Sequence, residues 1–323
     1  MRARPRRLAL VGSVLVDILM YVDALPTRGG DTVARESLLT AGGGFNALAG
    51  AARLGLPAAY AGRVGDGPMG ARVASDLSAA GIPALLPRAV GEDSGFDIGL
   101  VEPDAERTFV TSPGVESRLR PSDLAALPLQ PGDAVYVSGY DLCYPVSGAT
   151  LEAWLLALGA EYLVVLDPGP LAAEIPADRL RRALARADIL SLNARETTLL
   201  TGDEDASRGA SALAARIAPG GWVVARVGAR GCWVARRGEP AEHIPARPAR
   251  AVDTTGAGDM HVAALLAALA MGRDLPAAAW AANVAAALSV ERKGPATGPD
   301  RAEWEEAIAS AHRGGDAQGL GLR

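Results

Sequence analysis

Short apolar runs alternate along this chain with longer amphipathic or alanine-rich stretches, and this alternation constrains the fold more than any other feature. Such a pattern is typical of parallel strands joined by helical crossovers. The strand-like runs are Leu8–Val16, Ala58–Arg63, Ala134–Ser138, Tyr162–Asp167, Ile189–Leu192 and Trp222–Val227. Helices are predicted over Ala47–Leu54, Met69–Ala80 and Ala277–Ser289. The sequence therefore predicts an α/β fold, a doubly wound and mostly parallel sheet sandwiched by helices, with ligands gathering at the carboxyl ends of the strands.

Two segments break the alternation. Gly95–Val110 has the pattern of a β-hairpin around the turn Pro103-Asp104, and Met20–Leu39 looks extended. We therefore expect a single domain over residues 1–323, with strands of a small separate sheet inserted around 18–40 and 95–112. A sheet that projects over the cleft would act as a lid and exclude water from the reaction.

The composition excludes several classes of function. Hydrophobic residues make up 49% and charged residues 21% of the chain, which is ordinary for a soluble globular protein. The net charge of −5 provides no basic field to attract nucleic acid. The apolar run Leu8–Met20 is interrupted by Asp17, and no other segment reaches the ~18 apolar residues of a membrane span. We expect a cytoplasmic protein whose partner is a small molecule, with no nucleic acid and no membrane.

Cysteine and histidine give no sign of a zinc site. Cys143 and Cys232 lie far apart, and buried free thiols are the expected state. The histidines His243, His261 and His312 form no cluster with metal-ligand spacing. His261 is expected at the edge of the core.

The segment Asp253-Thr254-Thr255-Gly256-Ala257-Gly258-Asp259 carries the strongest chemical signal. Two glycines before a helix leave backbone N–H groups free at the helix start, where the dipole favours a phosphate that gains charge. Asp259 in the first helical turn is placed to accept the proton of an attacking hydroxyl. An aspartate that merely caps a helix after a glycine-rich turn would have the same spacing.

A second glycine-rich segment, Ala41-Gly42-Gly43-Gly44-Phe45-Asn46, opens the helix that follows it. Adjacent glycines allow a ligand to approach the backbone, and Asn46 offers both a donor and an acceptor. Asp17 stands among apolar residues and needs polar partners, for which sugar hydroxyls or neighbouring protein groups would serve.

These segments resemble the motifs of the ribokinase-like (PfkB) carbohydrate kinases. Gly42-Gly43-Gly44-Phe45-Asn46 is similar to the N-terminal signature of that family, and Asp253 to Asp259 to the C-terminal one. Between them, Asn193-Ala194-Arg195-Glu196 resembles the N-x-x-E element, and Val227-Gly228-Ala229-Arg230-Gly231 the glycine-containing nucleotide loop. The similarity runs from about Leu8 to Gly294, in the expected order.

The resemblance implies a role for individual residues. Transfer of the γ-phosphate of ATP to a hydroxyl of a sugar or sugar-like molecule would use Asp259 as base and Gly256, Ala257 and Gly258 as anion hole. The implied acceptor residues are Asp17, Gly43 and Asn46. The implied nucleotide residues are Asn193, Arg226, Gly228, Gly231 and Asn283.

The resemblance also implies cofactors and a mode of association. Mg²⁺ would be held through water by Glu196 with Asn193, which suits an ion that keeps several of its waters. A potassium ion would lie beside Asp253 and the backbone carbonyls near Thr255, Val290 and Gly294. A homodimer formed through the lid is expected, as in other members of that family.

The sequence departs from the family pattern at the acceptor side. Met260-His261 follows Asp259 where Thr or Ala and then Phe are usual in the family. The segment Tyr136–Asp141 lacks the Glu that ribokinases present there to ribose, so Tyr140 and Asp141 are the candidate replacements. A ribonucleoside kinase of the adenosine type stays open, with Phe45 and Tyr140 as stacking residues. A catalytically silent nucleotide or sugar sensor is the third reading. A dinucleotide oxidoreductase is disfavoured, because Gly12–Asp17 lacks the G-x-G-x-x-G fingerprint.

Overall fold

The computed structural model describes residues 4–103 and 106–313. The strands form two separate sheets. The larger sheet contains β1 (Arg7–Leu10), β4 (Ala58–Tyr60), β7 (Asp133–Ser138), β8 (Leu163–Asp167), β9 (Ile189–Asn193), β10 (Trp222–Arg226), β11 (Cys232–Arg236) and β12 (Glu242–Ile244). The smaller sheet contains β2 (Val14–Tyr21), β3 (Glu36–Gly43), β5 (Phe96–Val101) and β6 (Arg107–Ser112).

The larger sheet has the order β12-β11-β10-β9-β8-β7-β1-β4. Its strands from β4 through β10 are parallel, and β11 and β12 add an antiparallel edge. From β1 the chain passes first to β4 on one side and later to β7 on the other, so the winding reverses beside β1. Ligands of open α/β sheets bind outside the carboxyl ends of the strands at such a reversal.

Helices cover both faces of the larger sheet. They are α1 (Phe45–Arg53), α2 (Pro68–Ala79), α3 (Pro121–Ala125), α4 (Gly139–Cys143), α5 (Pro145–Ala157), α6 (Ala177–Arg186), α7 (Ala194–Thr201), α8 (Ala206–Ala214), α9 (Ala257–Ala270), α10 (Leu275–Val290) and α11 (Arg301–Arg313). In β7 the side chains of Ala134 and Tyr136 join the core beneath α1, α9 and α10, whereas Val135 and Val137 join the core beneath α5, α6 and α8. This two-residue period, apolar on both sides, is what a buried parallel strand requires. The predicted sandwich is confirmed.

The smaller sheet has the order β3-β2-β5-β6 and is called the lid sheet below. Strands β2 and β5 run parallel in the middle, with Asp17 opposite Asp97, and the two outer pairs are antiparallel. The predicted hairpin is β5 and β6, although residues 104 and 105 of its turn lie outside the described residues. The strands begin and end at 14–43 and 96–112, so the lid sheet starts earlier than predicted.

Two predictions of secondary structure are wrong. The run Leu8–Val16 is not one strand, because the chain leaves the larger sheet after Leu10 and enters the lid sheet at Val14. The predicted strand Trp222–Val227 forms β10, but no helical crossover follows it. The chain turns directly into β11, which runs antiparallel to β10. Gly231 permits this return, since its φ of 94° suits glycine and a Cβ there would lie 2.1 Å from the carbonyl oxygen of Ile244.

No helix within residues 4–103 and 106–313 is both long and apolar enough to span a lipid bilayer.

Candidate active site

Two cavities open at the carboxyl ends of the parallel strands. One of about 430 Å³ lies between these ends and the lid sheet, and we call it the lid cavity; Asp17, Asn46 and Asp259 line it. The other, of about 640 Å³, is lined by Gly228, Gly231 and the body of α10, and we call it the loop cavity. Residues common to both are Asn193, Arg226, Thr254, Ala257 and Gly258. The first turn of α9 therefore lies where the two cavities meet.

Asp259 occupies that first turn, with Gly256 as the N-cap residue at a φ of 72°. Gly256 provides no side chain for capping, so the first amides of α9 have no acceptor within the helix. The Ala257 amide makes one 3.3 Å bond to the Thr254 carbonyl oxygen. Asp259 does not itself cap the helix by a side-chain bond, which removes the capping alternative.

The carboxyl group of Asp259 is tuned for proton exchange near neutrality. Burial, with the nearby charge of Asp167, raises its pKa to about 7, against the opposing effects of Arg226 and of a hydrogen bond from Asn46. A carboxylate with such a pKa can take a proton from a hydroxyl more readily than an ordinary aspartate. Asn46 and Asp259, predicted from separate motifs, are thus brought into contact.

Asp17 is almost fully buried at the end of the lid cavity. Its carboxyl group occupies the space beside Gly42, where an added Cβ would lie 1.7 Å from Asp17 Oδ1. Burial raises the pKa of Asp17 to about 8, and the charges of Asp97 and Asp259 act in the same direction. Gly43, at a φ of 58°, lines the same cavity. The predicted acceptor residues Asp17, Gly43 and Asn46 are therefore close together, and Gly42 is a further requirement that the sequence did not single out.

Arg226, at the end of β10, is the electrostatic centre of the site. Its Nη2 donates to Asp167 Oδ2 at 3.1 Å and lies 3.9 Å from Glu196 Oε2. Its Nη1 donates to Ser191 Oγ at 3.0 Å and to the Gly258 carbonyl oxygen at 3.1 Å. Predicted beside the nucleotide, Arg226 does line both cavities, but much of its hydrogen-bonding capacity is used within the protein.

Asn193 and Glu196 form the N-terminal cap of α7. Asn193 Oδ1 accepts from the Glu196 amide at 2.9 Å, and Glu196 Oε2 accepts from the Asn193 amide at 2.8 Å. This reciprocal cap is a capping box, and it fixes the Glu196 carboxyl group at the edge of the lid cavity. Burial raises the pKa of Glu196, and Asp167 adds to this.

The wall of the loop cavity contains the predicted residues Gly228, Gly231 and Asn283. Asn283 Nδ2 donates to the carbonyl oxygens of Ile244 and Pro245 at 3.1 and 3.0 Å, so it fixes the chain after β12. Its Oδ1 lies 3.1 Å from His261 Nε2. His261, expected at the edge of the core, is fully buried in the wall of this cavity, and burial lowers its pKa to about 3.

Asp253 lies at the start of the C-terminal motif, and Asp259 lies at its end. Its Oδ1 accepts from the Thr255 amide and hydroxyl, and its Oδ2 accepts from the Gly294 amide at 3.0 Å. Although burial opposes it, these bonds lower the pKa of Asp253, which is therefore ionised. The Val290 carbonyl oxygen accepts from the amides of Val252 and Asp253, so the predicted neighbours of a potassium ion do come together here.

The structure corrects two predictions about the acceptor side. Asp141 does not line the lid cavity: it is buried below the sheet ends and accepts from the hydroxyls of Ser13 and Ser138. Phe45 does not line it either, because its side chain turns into the core under α1. Tyr140 does line the cavity, as predicted.

Three charged residues of the lid cavity were missed. Asp97 and Arg107 enter it from the lid sheet, and Asp167 from the end of β8. Arg107 donates to Thr255 Oγ1 at 2.6 Å, so the lid sheet contacts the C-terminal motif. Asp167 had a readable signal, as a polar residue that ends a buried parallel strand, but Asp97 depends on the pairing of β2 with β5.

In the described part of the chain, no three His, Cys, Asp or Glu side chains converge to hold a metal ion on protein ligands alone. The acidic groups that line the lid cavity are Asp17, Asp97, Asp167, Glu196 and Asp259. Such a set suits an ion that keeps most of its water and arrives with phosphate groups.

Comparisons with known proteins agree with this architecture. The sequence pattern of the pfkB family carbohydrate kinases matches residues 5–302. The chain is 34% identical over 304 residues to the uncharacterized sugar kinase YegV of Escherichia coli (strain K12), with 91% of each protein covered. It is 35% identical over 259 residues to a fructokinase of Klebsiella pneumoniae, which covers 77% of this chain and 81% of that protein. The solved structure of Arabidopsis thaliana ribokinase complexed with ribose and ATP has a TM-score of 0.74 at 24% identity, covering 95% of this chain and 99% of that one, and shares its fold.

Proposed function

Since the chain belongs to the pfkB family of carbohydrate kinases, which are ATP-dependent phosphotransferases, we propose that it moves the γ-phosphate of ATP to a hydroxyl of a sugar bound in the lid cavity. The observation that carries this proposal is the position of the first turn of α9. Ala257 and Gly258 line both cavities, and Asp259 faces the lid cavity beside them. A phosphoryl group passing from one cavity to the other would cross this turn.

The loop cavity is the proposed nucleotide site. Its walls are largely apolar and made of small side chains, namely Ala246, Ala249, Ala251, Ala286, Ala287 and Val290. A flat heterocycle fits such a slot, and the glycines at 228 and 231 let it approach the backbone. Asn283 positions the wall after β12, and Asn193 lies at the boundary with the lid cavity.

The transfer step uses groups of the chain in a defined order. The acceptor hydroxyl, held by Asp17, Gly43 and Asn46, gives its proton to Asp259 as its oxygen attacks the γ-phosphorus. The new O–P bond forms, the bond to the bridging oxygen breaks, and ADP leaves with that electron pair. The free amides at the start of α9 donate to the phosphoryl oxygens as they gain charge. The lid sheet keeps water, the competing acceptor, out of the cavity.

Two ions belong to the proposal. Glu196 and Asn193 would hold Mg²⁺ through water, and the ion would neutralise phosphate charge when bound with the nucleotide. The ionised carboxylate of Asp253, near the Val290 carbonyl oxygen, is the proposed place for potassium. An ion there would brace the loop that carries Thr255 and Gly256.

A coupled assay of ADP release, with ATP, Mg²⁺ and K⁺ against pentoses, hexoses, keto-deoxy acids and nucleosides, tests the proposal. Selective turnover of one sugar is the expected result. Silence across the panel with ATP binding intact would favour a sensor, and absence of ATP binding would overturn the nucleotide site.

A nucleoside acceptor is the second candidate. The lid cavity gathers Phe109, Tyr140 and Tyr144, which together offer aromatic surface that a base could stack on. Turnover of a ribonucleoside in preference to every free sugar in the same assay would establish this alternative.

The proposed association through the lid rests on its outer strand. In β6 the side chains of Phe109 and Val110 are 46% and 69% exposed, on the unpaired edge of the lid sheet. Exposed apolar side chains on an open edge strand favour pairing with a second chain. Sedimentation of the protein as a monomer at all concentrations would exclude the dimer.

The pH dependence of turnover should follow Asp259. Because the base must be ionised and its pKa is about 7, kcat/KM for the acceptor is expected to fall as the pH decreases through 7. Asp167→Asn removes a charge that raises this pKa, so the acid limb should move to lower pH. ATP binding measured at each pH separates the titration of the nucleotide from that of the enzyme. An acid limb that does not move in Asp167→Asn would contradict the assignment.

Gly42→Ala should damage acceptor binding through Asp17. The added methyl group would overlap the Asp17 carboxyl group, which must turn away from its place in the lid cavity. We expect the KM of the acceptor to rise about 10-fold, the effect of losing one hydrogen bond, with the KM of ATP unchanged. Gly30→Ala is the matched control, because Gly30 lies in an exposed lid loop and the three heavy atoms nearest to the new methyl group all belong to Thr27. Equal acceptor KM values in the two variants would show that Asp17 does not hold the acceptor.

A further inference from the structure

Two carboxyl groups lie side by side at the lid end of the lid cavity. Asp17 of β2 and Asp97 of β5 are register partners in a parallel pair of strands. Their Cα atoms therefore lie about 5 Å apart, the spacing between neighbouring strands. Both line the cavity, so their side chains point to the same face of the lid sheet. Asp17 belongs to the residues already proposed to hold the acceptor, but Asp97 has no role in that proposal.

Each of the two groups has an oxygen atom that is buried without a partner. Within residues 4–103 and 106–313, Asp17 Oδ1 and Asp97 Oδ1 are out of contact with solvent and accept no hydrogen bond from the protein. Buried polar atoms are nearly always hydrogen-bonded, and an unsatisfied one costs stability. Donors from a bound ligand would satisfy both atoms at once.

Neither carboxyl group of the pair has a cation as its partner. Arg107 lines the same cavity but donates to Thr255 and Thr254, and Arg226 donates to Asp167. No ion pair to Asp17 or Asp97 forms among the described residues. Burial alone raises the pKa of Asp97, to about 6, with no cation opposing it. A carboxylate or phosphate group placed against the pair would meet like charge, while both arginines of the cavity donate to other groups.

We propose that Asp97 is a second acceptor-recognition residue, and that with Asp17 it selects neutral polyhydroxy acceptors with two adjacent hydroxyls over acceptors that carry a carboxylate or a phosphate. The inference rests on the proposed function, since it names the acceptor class of the same cavity. Each hydroxyl of a vicinal diol donates to one of the unpartnered oxygens. The two carboxyl groups on adjacent strands thus present two separate acceptor oxygens, one for each hydroxyl of such a diol.

The variant Asp97→Asn tests the proposal without changing the shape of the side chain. For the sugar that the wild-type protein uses best, we expect the acceptor KM to rise about 10- to 100-fold, as for the loss of a hydrogen bond to a charged group. The KM of ATP and the slow hydrolysis of ATP without acceptor should not change. A deoxy analogue that lacks one of the adjacent hydroxyls should have the same acceptor KM in the wild-type protein as the full sugar has in the variant. The KM of this analogue should not rise further in the variant.

Asp23→Asn is the matched control, since Asp23 lies in the exposed lid loop after β2 and pairs there with Arg35. It should leave all constants unchanged. If Asp97→Asn proved poorly folded by circular dichroism, Asp97→Ser would serve instead. The proposed selection against anionic acceptors is tested with a sugar acid and a sugar phosphate. Both should be poor acceptors for the wild-type protein. In Asp97→Asn their kcat/KM should rise at least several-fold relative to that of the neutral sugar.

Calorimetric titration of the same sugars separates this inference from the kinase proposal. Neutral-sugar binding that weakens in Asp97→Asn, in a protein without turnover, would refute the kinase and keep the recognition residue. Turnover with unchanged acceptor constants in Asp97→Asn, or a wild-type preference for anionic or aminated acceptors, would overturn the inference and keep the kinase.

Discussion

Asp259→Asn is expected to lower kcat about 1,000-fold, because a positioned general base contributes about 10²- to 10⁴-fold to such a step. The amide cannot take the hydroxyl proton, whereas the amides at the start of α9 remain in place. ATP binding measured by calorimetry should therefore stay within about twofold. Since burial raises the pKa of Asp259 to about 7, its ionised form destabilises the fold above that pH, and the neutral Asn should leave Tm unchanged or higher.

Asp274→Asn is the control for this substitution. Asp274 caps α10 by accepting from the Ala277 amide at 2.9 Å, a role that Asn fills equally well, and it does not line either cavity. Its activity should equal that of the wild-type protein. Turnover of Asp259→Asn within several-fold of that level would remove Asp259 from the role of base.

Arg226→Met is expected to lower the free energy of unfolding by about 3–5 kcal/mol, the usual cost of leaving a buried charge without its partner. Asp167 and Glu196 would both lose their counter-ion, and the Gly258 carbonyl oxygen would lose a donor. Urea unfolding followed by circular dichroism measures the loss. Because Arg226 lowers the pKa of Asp259, the acid limb of activity should also move to higher pH, opposite to the effect of Asp167→Asn.

Two further variants define what Arg226 does. Arg226→Met combined with Asp167→Asn leaves one fewer unpaired carboxylate, so its loss of stability should be smaller than that of Arg226→Met alone. Arg236→Met, on the neighbouring strand, removes an exposed arginine whose ion pair to Glu239 spans 3.5 Å, and should cost less than about 1 kcal/mol. A loss for Arg226→Met no larger than that of the control would mean that water, not Arg226, balances the acidic cluster.

The sequence predicted those elements whose signal is local. Strands β7 to β10 and helices α1, α2 and α10 lie within a few residues of their predicted bounds, because apolar runs and glycine stops reflect burial and chain reversal directly. The boundary between β1 and β2 could not be predicted in this way. Leu8–Val16 is apolar throughout, and nothing in such a run records that the chain changes sheets at Val11–Ser13.

The residues of the candidate site likewise differ in whether their signal is local. Asp259, Asn46 and Asp17 could be predicted because each follows a glycine-rich turn or lies near a strand with a local signature. Asp97 and Asp141 look alike in sequence, as single acids near apolar residues. The pairing of β5 with β2 brings Asp97 into the lid cavity, whereas hydrogen bonds from the hydroxyls of Ser13 and Ser138 hold Asp141 beneath it.

The two acidic residues proposed to recognise the acceptor, Asp17 and Asp97, belong to β2 and β5, whereas the proposed base, Asp259, belongs to α9. Recognition and bond-making therefore depend on stretches of chain that can vary separately over evolutionary time. Substitutions within residues 14–43 and 96–112 could redirect such an enzyme to a new sugar, while the inherited turn at Gly256–Asp259 continued to serve as a common catalytic part.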